Sequence, residues 1–213
     1  MEYAAILDQL CGEGQASVER AEAVVTLATE QKFADWLPMA TASRGWILSQ
    51  QGELHEGIAQ MQQGLAAYRA TEALMFVSYF LTLIARAYLQ AGQAAAARSA
   101  LEEALGTVVR TEGRLWDAEI YRLQGAVALS DGGPRAVAEA ESRLLKGLDS
   151  ARQRQARSLE LRAAVDLARL WQRQDRRDEA RQLLENVYGW FTEGFATADL
   201  QEAAALLQQL RAS

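Results

Sequence analysis

One cysteine, one histidine and two prolines among 213 residues leave out much of what several protein classes require. A disulfide needs a second cysteine and a zinc shell needs more than Cys11 and His55, so no disulfide, metal or other cofactor is expected. His55-Glu56 could open a HExxH motif, but the second histidine does not exist. Any catalysis would have to run on carboxylates. Adjacent pairs such as Glu102-Glu103 and Asp178-Glu179 point about 100° apart on a helix, so they do not converge on one bond. Cys11 has no base beside it in sequence and reads as a small packed side chain rather than a nucleophile. No enzyme is expected.

Other absences concern location. Glu2 and Tyr3 follow Met1 where a leader would carry basic and then apolar residues, so no secretory signal is visible. The longest uncharged, mostly apolar run is Leu74 to Ala85, 12 residues. A span needs about 20, so this run suits a buried helix and a cytoplasmic, non-membrane chain is expected. β-branched and turn residues are sparse, while Ala, Leu, Gln, Glu and Arg abound and half the chain is apolar. That composition favours an all-α fold with a sizeable core.

The chain repeats itself. Small residues stand at Gly45, Ala85, Gly125 and Ala168, at intervals of 40, 40 and 43. Gly57, Ala97, Ala140 and Ala180 follow at 40, 43 and 40, as do Leu65, Leu105, Leu148 and Tyr188. The three extra residues therefore fall between Gly125 and Ala140, in the Asp131-Gly132-Gly133-Pro134 turn. With Gly52, Gly92 and Gly132 as breaks, each unit reads as helix A, a turn and helix B. The expected pairs are 33–51 with 54–71, 75–91 with 93–111, 114–130 with 134–154, and 157–174 with 176–192. Residues 16–31 read as the B helix of an earlier unit, and Thr197 as the cap of a last helix with Asp199 in its first turn. Gly45 and Gly57 fall where A and B of one unit would cross, so Gly57→Leu should cost on the order of 1–3 kcal/mol.

Gly45, Leu48, Gly52, Leu54, Gly57, Ile58, Met61 and Gly64-Leu65, then Ala85, Tyr88, Gly92, Ala97, Leu101 and Ala104-Leu105, stand in the order of the tetratricopeptide repeat (TPR), which this chain resembles. The period of 40 exceeds that family's ~34, and Asp175 replaces the turn glycine of the fourth unit. The resemblance implies a right-handed superhelical solenoid of TPR-like helix pairs forming a single domain over 1–213. Its parts would be an incomplete unit at 1–31, repeats at 32–72, 73–112, 113–155 and 156–194, and a capping helix at 197–212. A narrower resemblance rests on Tyr79-Phe80-Leu81 with Ala87-Tyr88, on Leu167-Ala168-Arg169-Leu170-Trp171, and on Tyr188-Gly189-Trp190-Phe191-Thr192-Glu193-Gly194-Phe195. These segments are similar to the C-terminal helical repeats of bacterial multidomain nucleotide cyclase and signal-transducing ATPase regulators. The chain has no phosphate-cradling GxxxxGK[ST] loop and no cyclase domain, so a docking or sensing arm is implied, not an activity. The incomplete first unit suggests an arm that continues N-terminally, and its Ile6, Leu7 and Leu10 are candidates for self-association.

Projecting the family's groove positions onto the A helices gives Met39, Ala42 and Trp46; Tyr79, Thr82 and Arg86; Glu119 and Arg122; and Arg162, Arg169 and Arg173. The last three are spaced i, i+7 and i+11, within about 40° of each other on a helix. Charge is uneven. Residues 1–113 carry 7 basic and 13 acidic side chains, 114–213 carry 15 of each, and 152–181 hold nine arginines against five acids. An acidic protein or peptide would suit such a face, since arginine forks onto carboxylates. The competing reading is a solvated face whose arginines pair with Glu160, Asp166 and other acids. A net charge of −6 argues against nucleic acid. The aromatic run 188–195 reads mainly as packing under the terminal helix, with partner docking as the rival, and Trp36, Trp116 and Trp171 as inter-repeat core. The function expected is non-catalytic protein interaction or signal sensing; the alternative is a small-ligand sensor whose superhelix shifts on binding.

Overall fold

The structure is a computed structural model that describes residues 36–111 and 114–212. Among the described residues all regular secondary structure is helical. The contacts divide the chain into two compact units, Met1–Trp116 and Asp117–Ser213. The first holds α1 (Leu37–Gln50), α2 (Leu54–Ala70), α3 (Val77–Gln90), α4 (Ala94–Thr111) and a 3-10 turn at Arg114–Trp116. The second holds α5 (Asp117–Asp131), α6 (Ala136–Gln153), α7 (Arg157–Arg173), α8 (Arg177–Tyr188) and α9 (Ala198–Arg211). Residues 16–31, Cys11, Ile6, Leu7 and Leu10 lie outside the described residues, as does the expected start of the first helix at 33.

Within each unit the helices pair as A with B. Then A packs on the next A: α1 on α3 in the first unit, α5 on α7 and α7 on α9 in the second. Small residues permit this. A Cβ placed on Gly45 would lie 2.6 Å from the Gly57 carbonyl oxygen, and one on Gly57 would lie 2.5 Å from that of Gly45. One on Gly64, which stands beside Leu65 in the TPR-like order, would meet Pro38 O at 2.5 Å, a third contact point. The α1–α2 backbones therefore touch along the crossing. Behind them Met61, Tyr79, Phe80 and Leu101 fill the first core, while Leu144, Leu161, Leu167 and Leu184 fill the second.

Three of the four A-to-B turns share one device. Glu53 N–H bonds Leu48 O at 2.9 Å, Gln93 N–H bonds Tyr88 O at 2.8 Å and Arg176 N–H bonds Trp171 O at 2.9 Å. This closure needs a left-handed residue just past the helix, supplied by Gly52 (φ 94°), Gly92 (φ 70°) and Asp175 (φ 64°). Asp175 thus makes the same turn as the glycines it replaces; aspartate enters that region more readily than most residues. Three expectations need correcting. Thr197 occupies the N-cap of α9, but its hydroxyl donates to Gly194 O at 2.8 Å and caps no helical N–H. Trp36 is exposed: it stands at the N-cap of α1, ahead of the first turn. The 188–195 run is split: Tyr188 and Phe191 pack on the core, while Trp190 and Phe195 face solvent.

Gly106 is the counter-example among the helical glycines. It lies exposed inside α4, with nothing within 4 Å of where an added methyl group would sit. Gly106→Ala is therefore expected to raise stability by about 0.5–1 kcal/mol, from helix propensity alone. Chemical denaturation measures it, and a loss of stability would mean that α4 is packed differently.

Candidate functional site

In the first unit the projected positions are filled by the protein itself. Trp46, on α1, is 5% exposed, and the Arg86 guanidinium of α3 lies 5.1 Å from its ring centroid. Tyr79 is 2% exposed, with its ring 4.6 Å from that of Trp116 and 5.6 Å from that of Phe80. Met39, Ala42 and Thr82 are buried as well. No ring face is left open to a ligand at these positions.

In the second unit the arginine stripe meets acids on neighbouring A helices. Arg122 of α5 forks onto Glu119, Nε to Oε2 at 2.9 Å and Nη2 to Oε1 at 2.7 Å. Its Nη1 also reaches Asp166 of α7 at 2.6 Å. The Arg122 side chain is only 14% exposed and that of Glu119 9%. Burial opposes the charge of Arg122, but Glu119 and then Asp166 outweigh it and hold the guanidinium well above its ordinary pKa. Arg162 donates to Asp199 of α9 at 2.7 Å and is similarly secluded. Arg169 pairs with Glu202 at 2.5 Å with both side chains near half exposure. Arg173, one turn on, is exposed and makes no ion pair among the described residues. So α7 is tied to α5 by one pair and to α9 by two.

Such pairs fix register more than they add stability: exposed ones contribute about 0–1 kcal/mol, and buried ones must first overcome desolvation. Arg122 pairs both along α5, with Glu119, and across to Asp166, while Arg162 and Arg169 pair across to α9; Glu160 takes no part in these pairs. The sequence reading missed Asp199 and Glu202 as partners, because periodicity assigns faces but not the reach of side chains between helices.

Two further polar clusters occupy the second unit. Glu141 of α6 accepts Trp171 Nε1 and Arg176 Nη1, each at 2.7 Å. Burial pushes its carboxyl up, yet the bonds from Arg176 and Trp171 prevail and hold it below the ordinary value. Arg176 also forks onto Glu179 at 2.9 and 2.7 Å, which lowers that carboxyl too. Elsewhere Asp117 accepts Ser150 Oγ at 2.6 Å and Arg154 Nη2 at 3.0 Å. Glu160 accepts Arg152 Nε at 2.9 Å and Arg157 Nη1 at 2.7 Å. A signal for this second set existed: Asp117 and Glu160 are 43 residues apart, the interval of Gly125 and Ala168.

The first unit also holds an open cleft of about 540 Å³ between α2, α3 and α4, floored by Leu65, Leu81, Ile84 and Ala100. Gln62 Nε2 bonds Tyr88 Oη across it at 2.7 Å, and two turns along α2 Arg69 pairs with Glu103. Among the described residues no group of three or more His, Cys, Asp and Glu could hold a metal ion. Nor is any described helix long and apolar enough to cross a membrane.

No protein-family model and no curated protein sequence matches the chain. Solved structures do. One, described as the nearly identical TPR-like repeats of a Podosopora anserina kinesin light chain, aligns at TM-score 0.53 and 20% identity over 100% of this chain and 95% of its own. A variant of the same repeats aligns at TM-score 0.55 with the same identity and coverage. The chain has a TPR-like helical-repeat fold.

Proposed function

We propose that this chain is a non-catalytic protein-interaction module, and that an acidic segment of its partner is met in the second unit by Arg169 and Arg173. TPR-like repeats generally mediate contacts between proteins, which supports the class. The observation that carries the site is the unequal use of the arginine stripe. Arg122 and Arg162 are consumed by secluded carboxylates. Arg173 has no ion pair among the described residues, and Arg169 shares an exposed bond with Glu202 that a partner carboxylate can replace. On this reading Glu119, Arg122 and Arg162 hold the face in place, and Trp46, Tyr79 and Arg86 support the first unit.

A regulatory or docking arm of a bacterial cytoplasmic signalling protein is the setting we propose, supported by the likeness of the 167–171 and 188–195 segments to such arms. The experiment is capture from the source cytosol with wild type and with Arg169→Glu/Arg173→Glu, both shown folded by circular dichroism. A partner recovered by the wild type and retained at least about tenfold less well by the variant is the expected result. Equal recovery contradicts the site. The cleft over Leu81 and Ile84 favours one other reading, a small-ligand sensor, since its volume is in the range of ligand pockets. Thermal stabilisation by a metabolite, without any protein recovered, would select that reading.

A further inference from the structure

Four large side chains of the second unit have no part in that site: Arg152 at the end of α6, Arg154 at its C-cap, Arg157 opening α7, and Trp190 just past α8. They gather at one edge. The Arg157 guanidinium lies 3.9 Å from the Trp190 ring centroid, and Arg152 and Arg157 share the two oxygens of Glu160. Glu160 and Asp117 are buried beneath, so the negative charge is turned inward while the three guanidiniums stay partly exposed.

What remains outward is a set of donors. Arg157 keeps Nε and Nη2, Arg152 keeps both Nη groups and Arg154 keeps Nη1, none with a partner among the described residues. Each guanidinium is already held by a buried carboxylate, so little further side-chain freedom is lost when it binds a second anion. Trp190 is 63% exposed, an uncommon placement for the largest apolar ring, and Phe195 beside Tyr188 is exposed too. Rigid arginines around an open aromatic face are the composition of an interface anchor.

We propose that this edge is a second docking surface of the module, for an acidic stretch of a protein that carries an aromatic or large aliphatic side chain among its carboxylates. The carboxylates bridge Arg152, Arg154 and Arg157, and the apolar side chain covers Trp190. The proposal rests on the protein-interaction reading above, but on different residues. A nucleic acid strand fits less well: its long run of phosphates would meet the field of a chain that carries −6 as a whole, whereas a short acidic segment touches only this edge.

The test is an anisotropy titration of the full chain with a short fluorescein-labelled peptide alternating glutamate and phenylalanine, beside labelled oligothymidylate. Trp190→Ala and Arg157→Gln should each weaken the peptide about tenfold, Trp190→Phe should restore most of the loss, and added salt should weaken all. Arg169→Glu/Arg173→Glu should have the smaller effect. The proposal is overturned if the wild type does not bind the peptide, if Trp190→Ala binds as well as wild type, or if oligothymidylate binds more tightly with the same dependence on Trp190. Loss of the peptide in the Arg169/Arg173 variant alone would overturn this edge and leave the module reading standing. Failure of cytosolic capture would strike that reading instead.

Discussion

Arg122→Met is expected to destabilise the second unit by about 1.5–3 kcal/mol, the largest effect of any single substitution in its arginine stripe. The reason lies in what stays behind. Glu119 keeps a carboxylate that is 9% exposed and has lost both charge-assisted bonds, and Asp166 loses its contact with α5. Methionine matches the apolar stem of arginine but supplies no donor, so the penalty is the loss of charge-assisted bonds at a secluded place rather than a cavity. Glu119→Gln added to Arg122→Met removes that charge and should recover much of the loss, giving a coupling well above 1 kcal/mol in a double-mutant cycle. Arg169→Met, whose pair with Glu202 is half exposed, should cost under about 1 kcal/mol. Urea unfolding of wild type, Arg122→Met, Glu119→Gln, the double variant and Arg169→Met measures all of these terms. Equal costs at Arg122 and Arg169 would mean that both pairs are solvated.

Gly57→Leu should cost about 3 kcal/mol or more, the upper end of what overpacking does. The obstruction is backbone. The new Cβ would stand 2.5 Å from the Gly45 carbonyl oxygen and 2.7 Å from Ser49 N, and neither can rotate away, so α1 and α2 must separate. Gly125 in the second unit is the useful contrast. Its nearest obstacle is the Leu144 side chain at 3.0 Å, with the Ala140 oxygen at 3.3 Å. Gly125→Ala should cost clearly less than Gly57→Ala in thermal unfolding. The opposite order would show that the α1–α2 crossing is looser than its geometry implies.

The repeat was legible because packing of like units forces small residues to recur. Gly45 and Gly57, picked out by register alone, do meet backbone to backbone. Turns were legible for the same reason, and Asp175 kept the turn because the closing bond from Arg176 N–H to Trp171 O needs only a tolerated positive φ. Side-chain destinations were not. A groove position on an A helix fixes the direction of Cβ, but the rings of Trp46 and Tyr79 are long enough to turn into the packing around Arg86 and Trp116. Likewise nothing in the spacing of Arg122, Arg162 and Arg169 says that Asp166, Asp199 and Glu202 lie across from them. Trp190 and Phe195 fall in the non-helical stretch before α9, where periodicity has no hold on which rings are exposed.

The most direct measurement is amide hydrogen exchange of the chain with and without the captured partner. If the second unit carries recognition, exchange slows in the last two turns of α7, around Arg169 and Arg173, and in the facing first turns of α9, while α1 to α4 exchange as before. Slowing confined to α1–α4, with α7 and α9 unchanged, would contradict recognition by the arginine face.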